Sequence, residues 1–329
     1  MRNEEELSEL RAALKRAQAG EAAAKRKTEQ LVAAVYQAAK DASLAAGNPK
    51  VVAPTKDKRK AKAEVALIHT TDWQLGKRTV SYGTATCAKR IEEFTQKVLD
   101  ITSIQRAHHP VRDATLLVGG DICEGVGIFP GQQWEVEAHL YEQLFEASRI
   151  LNGMIRSLAG FFEKVHVVCE FGNHGRLGRR GDMPYGDNID RMIYRVTQER
   201  TEDVKNVTWQ MSDAWYQIFA IGNYKGLLVH GDEVKSFGGN TPAFGILRKV
   251  NSWATGVVED FADCYMGHWH QPLSLTMSNG GRTYVTGSPE SANEYAREFV
   301  AATSIPSQRL HFIDPDKGRV TAEYNVWLS

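Results

Sequence analysis

The sequence predicts an α/β fold preceded by a helical extension, and three observations carry the prediction. From Val65 onward, short apolar runs alternate with longer amphipathic segments, the pattern of strands covered by helices. Before that point the chain is dominated by Ala, Glu, Lys, Arg and Gln, which favour helix. Five of the apolar runs end in polar residues of one chemical kind, and strand ends are where open α/β sheets collect ligands.

In residues 1–47, Leu7, Leu10 and Leu14 follow a 3,4 spacing, and Leu31 and Val35 resume it after Gly20. That thin seam suits either a coiled coil or a solvated, frayed helix. Residues 48–64 hold two prolines and then Lys56, Lys58, Arg59, Lys60 and Lys62, and read as a basic linker. Residues 65–329 form the main domain. Its strands are expected at "VALIHTTD", "ATLLVGGD", "KVHVVCEFGNH", "GLLVHGDE" and "DCYMGHWH", with helices near 84–107, 133–160, 187–200 and 241–257. Further strands follow in "GRTYVTGS" and "RLHFIDPDKGRVTAEYNVW", the last two separated by a turn at "DPDKG".

A chain of 329 residues can bury a sizeable core. Lys+Arg and Asp+Glu balance at 40 each, so a nucleic-acid partner would have to be met by a local patch. Cys87, Cys123, Cys169 and Cys264 are scattered with no Cys-x-x-Cys pair, which predicts reduced thiols in an intracellular protein. The opening "MRNEEELSEL" has no apolar signal core, and no run is long enough for a bilayer. A cytoplasmic protein without a membrane partner is expected.

The strand-end residues are Asp72, Asp121, Asn173 with His174, His230, and His268 with His270. Singly, each has an ordinary reading: "TTD" as a cap, "GGD" and "GNH" as turns, His230 as a hydrogen-bonded rim histidine. Delivered to one rim, they would form a mixed oxygen and nitrogen pocket suited to Mn, Fe or Zn.

In this order, "DWQ", "GD", "GNH", "HG" and "GHWH" resemble the five blocks of the calcineurin-like metallophosphoesterases, D-x-H, G-D, G-N-H, H and G-H-x-H. The resemblance runs from about Leu67 to Ser288. "HTTDWQLGK", and "GHWHQP" followed by "TGSPES", are similar to the first and fifth blocks of the SbcD-type DNA nuclease branch. The whole chain is similar to members encoded by bacteriophages. The resemblance implies a four-layer αββα sandwich and two divalent metal ions, Mn2+ first, with Mg2+, Fe2+ or Zn2+ as alternatives. It also implies phosphodiester hydrolysis by a bridging water. Carried over, Asp72 and His270 hold the first ion, with Gln74 standing where the family has His. Asp121 bridges the ions, and Asn173, His230 and His268 complete the second site. His174 sits beside the attacked phosphate as general acid or charge stabiliser. An amide oxygen at Gln74 is a harder, weaker donor than imidazole, which shifts the first ion toward Mn or Mg; the other reading is that this ion is absent.

Two departures bear on substrate. "GDICEG" lacks the Arg-Gly of phosphoprotein phosphatases, and Gly175 follows "GNH" where they, and the SbcD branch, carry an acid. A protein phosphatase is therefore disfavoured. Arg176, Arg179 and Arg180 can clamp flanking phosphates of a polynucleotide or form a solvated loop. Lys235, Phe237 and Phe244, with Arg248 and Lys249, offer an aromatic and basic wall. The expected function is a metal-dependent phosphodiesterase acting on DNA, as an exo- or endonuclease in replication or repair. The alternatives are a phosphodiesterase for small or cyclic nucleotides and a non-catalytic metal- or DNA-binding protein. Only about forty residues follow the Gly-Ser-Pro loop, so the ATPase partnership of the SbcD branch is not expected. The N-terminal helix is a candidate homo-oligomer contact.

Overall fold

The computed structural model describes residues 47–178, 180–235, 242–290 and 305–329, with scattered positions between 12 and 45. The chain divides into two compact units, Met1–Gly47 and Asn48–Ser329. In the first, every described position from 12 to 45 is helical and exposed, Leu14 included. Leu7, Leu10, Leu31 and Val35 of the expected seam lie outside the described residues.

The second unit holds eleven strands and four α-helices among its described residues. In chain order they are β1 (Glu64–Thr70), α1 (Thr84–Gln105), β2 (Val111–Val118), α2 (Leu140–Phe161), β3 (Lys164–Cys169) and α3 (Ile189–Arg200). There follow β4 (Val207–Gln210), β5 (Gln217–Ile221), β6 (Tyr224–Leu228), α4 (Ala243–Ser252) and β7 (Asp263–Met266). The chain closes with β8 (Leu273–Thr276), β9 (Arg282–Val285), β10 (Ser307–Asp314) and β11 (Arg319–Trp327).

One sheet has the order β11-β10-β1-β2-β3-β4 and the other β5-β6-β7-β9-β8. Strands β1 to β4 pair in parallel, β10 runs antiparallel to β1, and β6, β7 and β9 are parallel. The sheets meet face to face. Leu67, Leu117 and Val168 of the first pack with Phe219, Tyr224, Leu228, Tyr265 and Tyr284 of the second. Alternate residues on a strand face opposite ways, so Ala66, Ile68, Leu116 and Val118 point away from that interface yet are equally buried. This explains why "VALIHT" and "TLLV" are continuously apolar rather than alternating. Helix α2 packs against α1, α3 and β3. On the far side, α4 contributes Ile246 and Val250 to a second cluster with Leu227, Cys264, Met266 and Val285. The architecture is the expected mixed α/β arrangement, with two mixed sheets between helical layers.

Strands β4, β5 and β8 were not expected from the sequence. All three are edge strands of four or five residues with half-exposed or exposed positions; β4 and β8 carry no unbroken apolar run, and that of β5 is only the four residues 218–221. Helix α2 starts at Leu140 rather than near 133, where Gln132–Trp134 makes one tight turn instead. The start is set by the His139 N–H, which donates to the Glu142 carboxylate at 2.7 Å. The turn at "DPDKG" is present, with Gly318 at φ +63° and its N–H on Asp314 O at 2.9 Å. Residues 48–64, read as a linker, are tied to the second unit. Asn48 donates to Arg200 O at 3.1 Å, Arg156 donates to Pro49 O at 2.8 Å, and Arg59 donates to Arg106 O at 2.7 Å. Among the described residues no helix is long and apolar enough to cross a membrane.

Candidate metal centre

Five non-glycine residues among those described have positive φ: Asp72 (54°), Gln74 (43°), Asp121 (51°), His268 (67°) and His270 (54°). All five belong to the seven expected ligands. Each follows the carboxyl end of β1, β2 or β7, where the chain bends sharply to bring its side chain to the rim. A left-handed backbone at a non-glycine residue costs roughly 1–3 kcal/mol and persists only where the surroundings enforce it. Here the enforcing bonds cross between the loops. Asp72 N–H donates to Gly120 O and Gln74 N–H to Asp121 O, both at 2.9 Å. The His268 N–H reaches both Asp72 carboxylate oxygens at 2.9 and 3.0 Å.

At the centre lies Asp121, almost fully buried. Its Oδ2 is 3.1 Å from His230 Nε2, and its Oδ1 accepts the His174 N–H at 2.7 Å. His230 Nδ1 lies 2.8 Å from Gly119 O, and since a carbonyl only accepts, Nδ1 is the donor. The other ring nitrogen then faces two oxygens, Asp121 Oδ2 and, at 3.2 Å, Asn173 Oδ1. The imidazole lone pair and the Asp121 carboxylate both accept, so a cation is needed between them, whether proton or metal ion. His268 joins this group, with ligand atoms of Asp121, His230 and His268 all within 4.8 Å of one another. The donor set therefore fits a divalent ion. Burial alone would raise the Asp121 carboxyl, but His230 and His174 outweigh it and hold it far below the usual range. Burial and the neighbouring His230 push His268 down to about 4, which keeps its lone pair available to a cation.

His174 stands at the mouth, with its Nδ1 3.0 Å from Glu124 O and 3.2 Å from Glu124 Oε2. Burial opposes its charge, yet Glu124 and Asp121 raise it to about 9, the protonated form suited to an acid. Gln74 lies beside it, with Nε2 3.5 Å from His174 Nε2 and 3.1 Å from His270 Nε2. His270 Nε2 is 3.4 Å from Asp72 Oδ1, and its Nδ1 donates to Glu290 at 3.1 Å.

The arginines separate. Arg176 is paired with Asp232 and is not a free clamp. Arg180 is exposed and lines a cleft of about 500 Å³ together with Tyr185, Trp215, Lys249 and Trp253 and the carboxylates of Asp213, Asp232 and Glu233. Arg179, with Phe237 of the expected wall, lies outside the described residues. Phe244 is 68% exposed, so helix packing does not account for it.

Several supporting residues were not anticipated. Asp190, in the first turn of α3, accepts from the N–H groups of Asp121 (2.8 Å), Gly172 (2.9 Å), Ile122 (3.1 Å) and Cys123 (3.3 Å). Glu124 orients His174, while Lys77 and Glu290 form a buried ion pair at 2.9 Å. The signals were weak: an Asp two residues after the Asn188 helix cap, and a lysine three residues after Gln74.

Glu170 lies behind the loop, accepting from Phe171 N–H at 2.9 Å and Gln217 Nε2 at 3.2 Å, and burial pushes its carboxyl up to about 8. The folded chain thus holds a proton there that the unfolded chain releases above its ordinary 4.5. Stability contributed by that proton is present below 4.5 and is lost as pH rises through about 8. Glu170→Gln, neutral throughout, should show a flatter fall in melting temperature across that window than wild type. Parallel curves would refute the burial argument.

No family model and no curated protein matches the chain. Solved structures do align along most of it. A predicted phosphoesterase from Streptococcus pneumoniae is 13% identical, with 80% of this chain and 99% of that one covered and a TM-score of 0.35. A dimetal phosphatase from Danio rerio is 11% identical, with 80% and 99% covered and a TM-score of 0.38. Vps29 complexed with Zn2+ from Entamoeba histolytica is 14% identical, with 79% and 98% covered and a TM-score of 0.33. At these values the likenesses decide nothing about this chain, whose fold is given by the topology above.

Proposed function

We propose that the chain is a metal-dependent phosphodiesterase acting on DNA, with a divalent ion, Mn2+ first, held by Asp121, His230, His268 and Asn173. The observation that carries this reading is the convergence of His230 Nε2, Asp121 Oδ2 and Asn173 Oδ1 on one buried point, with His268 beside it. A divalent ion there supplies Lewis acidity toward a phosphoryl oxygen and toward attacking water. His174, protonated and oriented by Glu124, is placed to neutralise or protonate the leaving alkoxide.

The surroundings favour a nucleotide over a phosphoprotein. Phe129 is 39% exposed and meets the His174 ring edge-on at 6.1 Å, a stacking face beside the reacting phosphate. The neighbouring cleft adds the partly buried Trp215, backed by the buried Trp253, with Lys249 5.8 Å from the Trp253 ring centre and Arg180 at its edge. The cleft also carries Asp213, Asp232 and Glu233, so it is the aromatic side chains and the two cations, not a net positive charge, that suit a splayed base and its phosphate.

The test is hydrolysis of end-labelled single- and double-stranded DNA with Mn2+. Wild type should cleave, and His174→Ala should be slower by roughly 10²–10⁴-fold while still binding Mn2+. A wild-type protein inert on DNA but active on a cyclic nucleotide would move the substrate to a small nucleotide. Binding without turnover of either would make the chain a non-catalytic binder.

A further inference from the structure

The position expected to hold the first ion has a different chemistry. Lys77 is buried, with its Nζ 2.9 Å from Glu290 Oε1 and 3.2 Å from Gln74 Oε1. An ammonium carries three donors and no acceptor, so the atom of the Gln74 amide that faces it must be the oxygen. The amide NH2 is thereby turned the other way, toward His270 Nε2 at 3.1 Å and His174 Nε2 at 3.5 Å. His270 donates its Nδ1–H to Glu290, and its Nε2 lies nearer the Gln74 nitrogen than Asp72 Oδ1 at 3.4 Å. Turning the amide over would set its NH2 against the Lys77 ammonium, donor against donor.

We propose that Lys77 and Gln74 together replace the first metal ion, so that this protein works with one divalent ion at Asp121, His230 and His268. The lysine supplies a fixed positive charge in place of the ion. The Gln74 NH2 group offers a hydrogen-bond donor to a phosphoryl oxygen where a Lewis acid would otherwise stand. An NH2 group cannot ligate a cation, and Gln74, with its oxygen held by Lys77, presents that group on the side of His270. The substitution at Gln74 and the lysine three residues later thus form one device. Glu290, which contacts both Lys77 and His270, holds its two halves in register.

The inference rests on the metal-dependent reading above, and metal counting separates the two. Full-length protein equilibrated with excess Mn2+ and freed of unbound ion should retain one ion per chain, with the spectrum of an isolated Mn2+ in electron paramagnetic resonance. The double variant Gln74→His with Lys77→Ala, shown to be folded by circular dichroism, should retain two ions with a spin-coupled spectrum. Two coupled ions in the wild-type protein would overturn the inference and leave the phosphodiesterase reading standing. A folded double variant that still binds only one ion would also overturn it. A wild-type protein that binds none would overturn the metal-dependent reading itself.

Discussion

Asp121→Ala is expected to lose tight Mn2+ binding and to lower kcat/KM on DNA by about 10³-fold or more, the scale of removing a preorganised electrostatic element from an active site. Two contacts go at once. His230 loses the carboxylate 3.1 Å away, and the His174 N–H loses its 2.7 Å acceptor. A buried group stripped of its charged partner is strongly destabilised, so the melting temperature should fall as well. Asp121→Asn separates the effects. It keeps an oxygen for the His174 N–H while removing the charge, and should stay folded yet bind Mn2+ far more weakly. Unchanged Mn2+ affinity in Asp121→Asn, measured by calorimetry, would remove Asp121 from the centre.

Asp190→Ala should be the most damaging change outside the ligands. Its two oxygens accept four buried backbone N–H groups, from Asp121, Ile122, Cys123 and Gly172. Leaving a buried donor unsatisfied costs about 1–3 kcal/mol, and four together approach the whole stability of an ordinary domain. The loops that carry Asp121 and Asn173 are both anchored at this one carboxylate, so ion affinity should fall with stability. Asp190→Asn retains one acceptor oxygen and should lie between wild type and Asp190→Ala in melting temperature. Its Mn2+ affinity should drop by roughly 10–100-fold, as for residues that orient metal ligands from behind. If Asp190→Ala melts as wild type does, the anchor is misassigned.

The candidate ligands were legible because their signal is local. A buried strand needs a run of apolar residues, and its exit is marked by the first polar ones; Asp72, Asp121, His230 and His268 each stand within a few residues of such a run. Edge strands β4 and β8 were not legible, since a short half-exposed strand has no such contrast, and the apolar run of β5 is only four residues long. Arg176 shows the limit on the functional side. Its place after "GNH" suggested a phosphate clamp, but Asp232, fifty-six residues later, had already engaged it.

Residue type and spacing by themselves determined the alternation of strands and helices, the donors at the strand ends, and the anomaly at Gln74. Tertiary structure alone decided what that anomaly means. A carboxamide has a donor end and an acceptor end of nearly equal size, and only its neighbours choose between them. Here the choice falls to Lys77, held in place by Glu290 from the far end of the domain, and to His270 opposite. Contacts between residues so distant in the chain leave no periodicity behind. They exist only once the two sheets have packed and brought their loops to one rim.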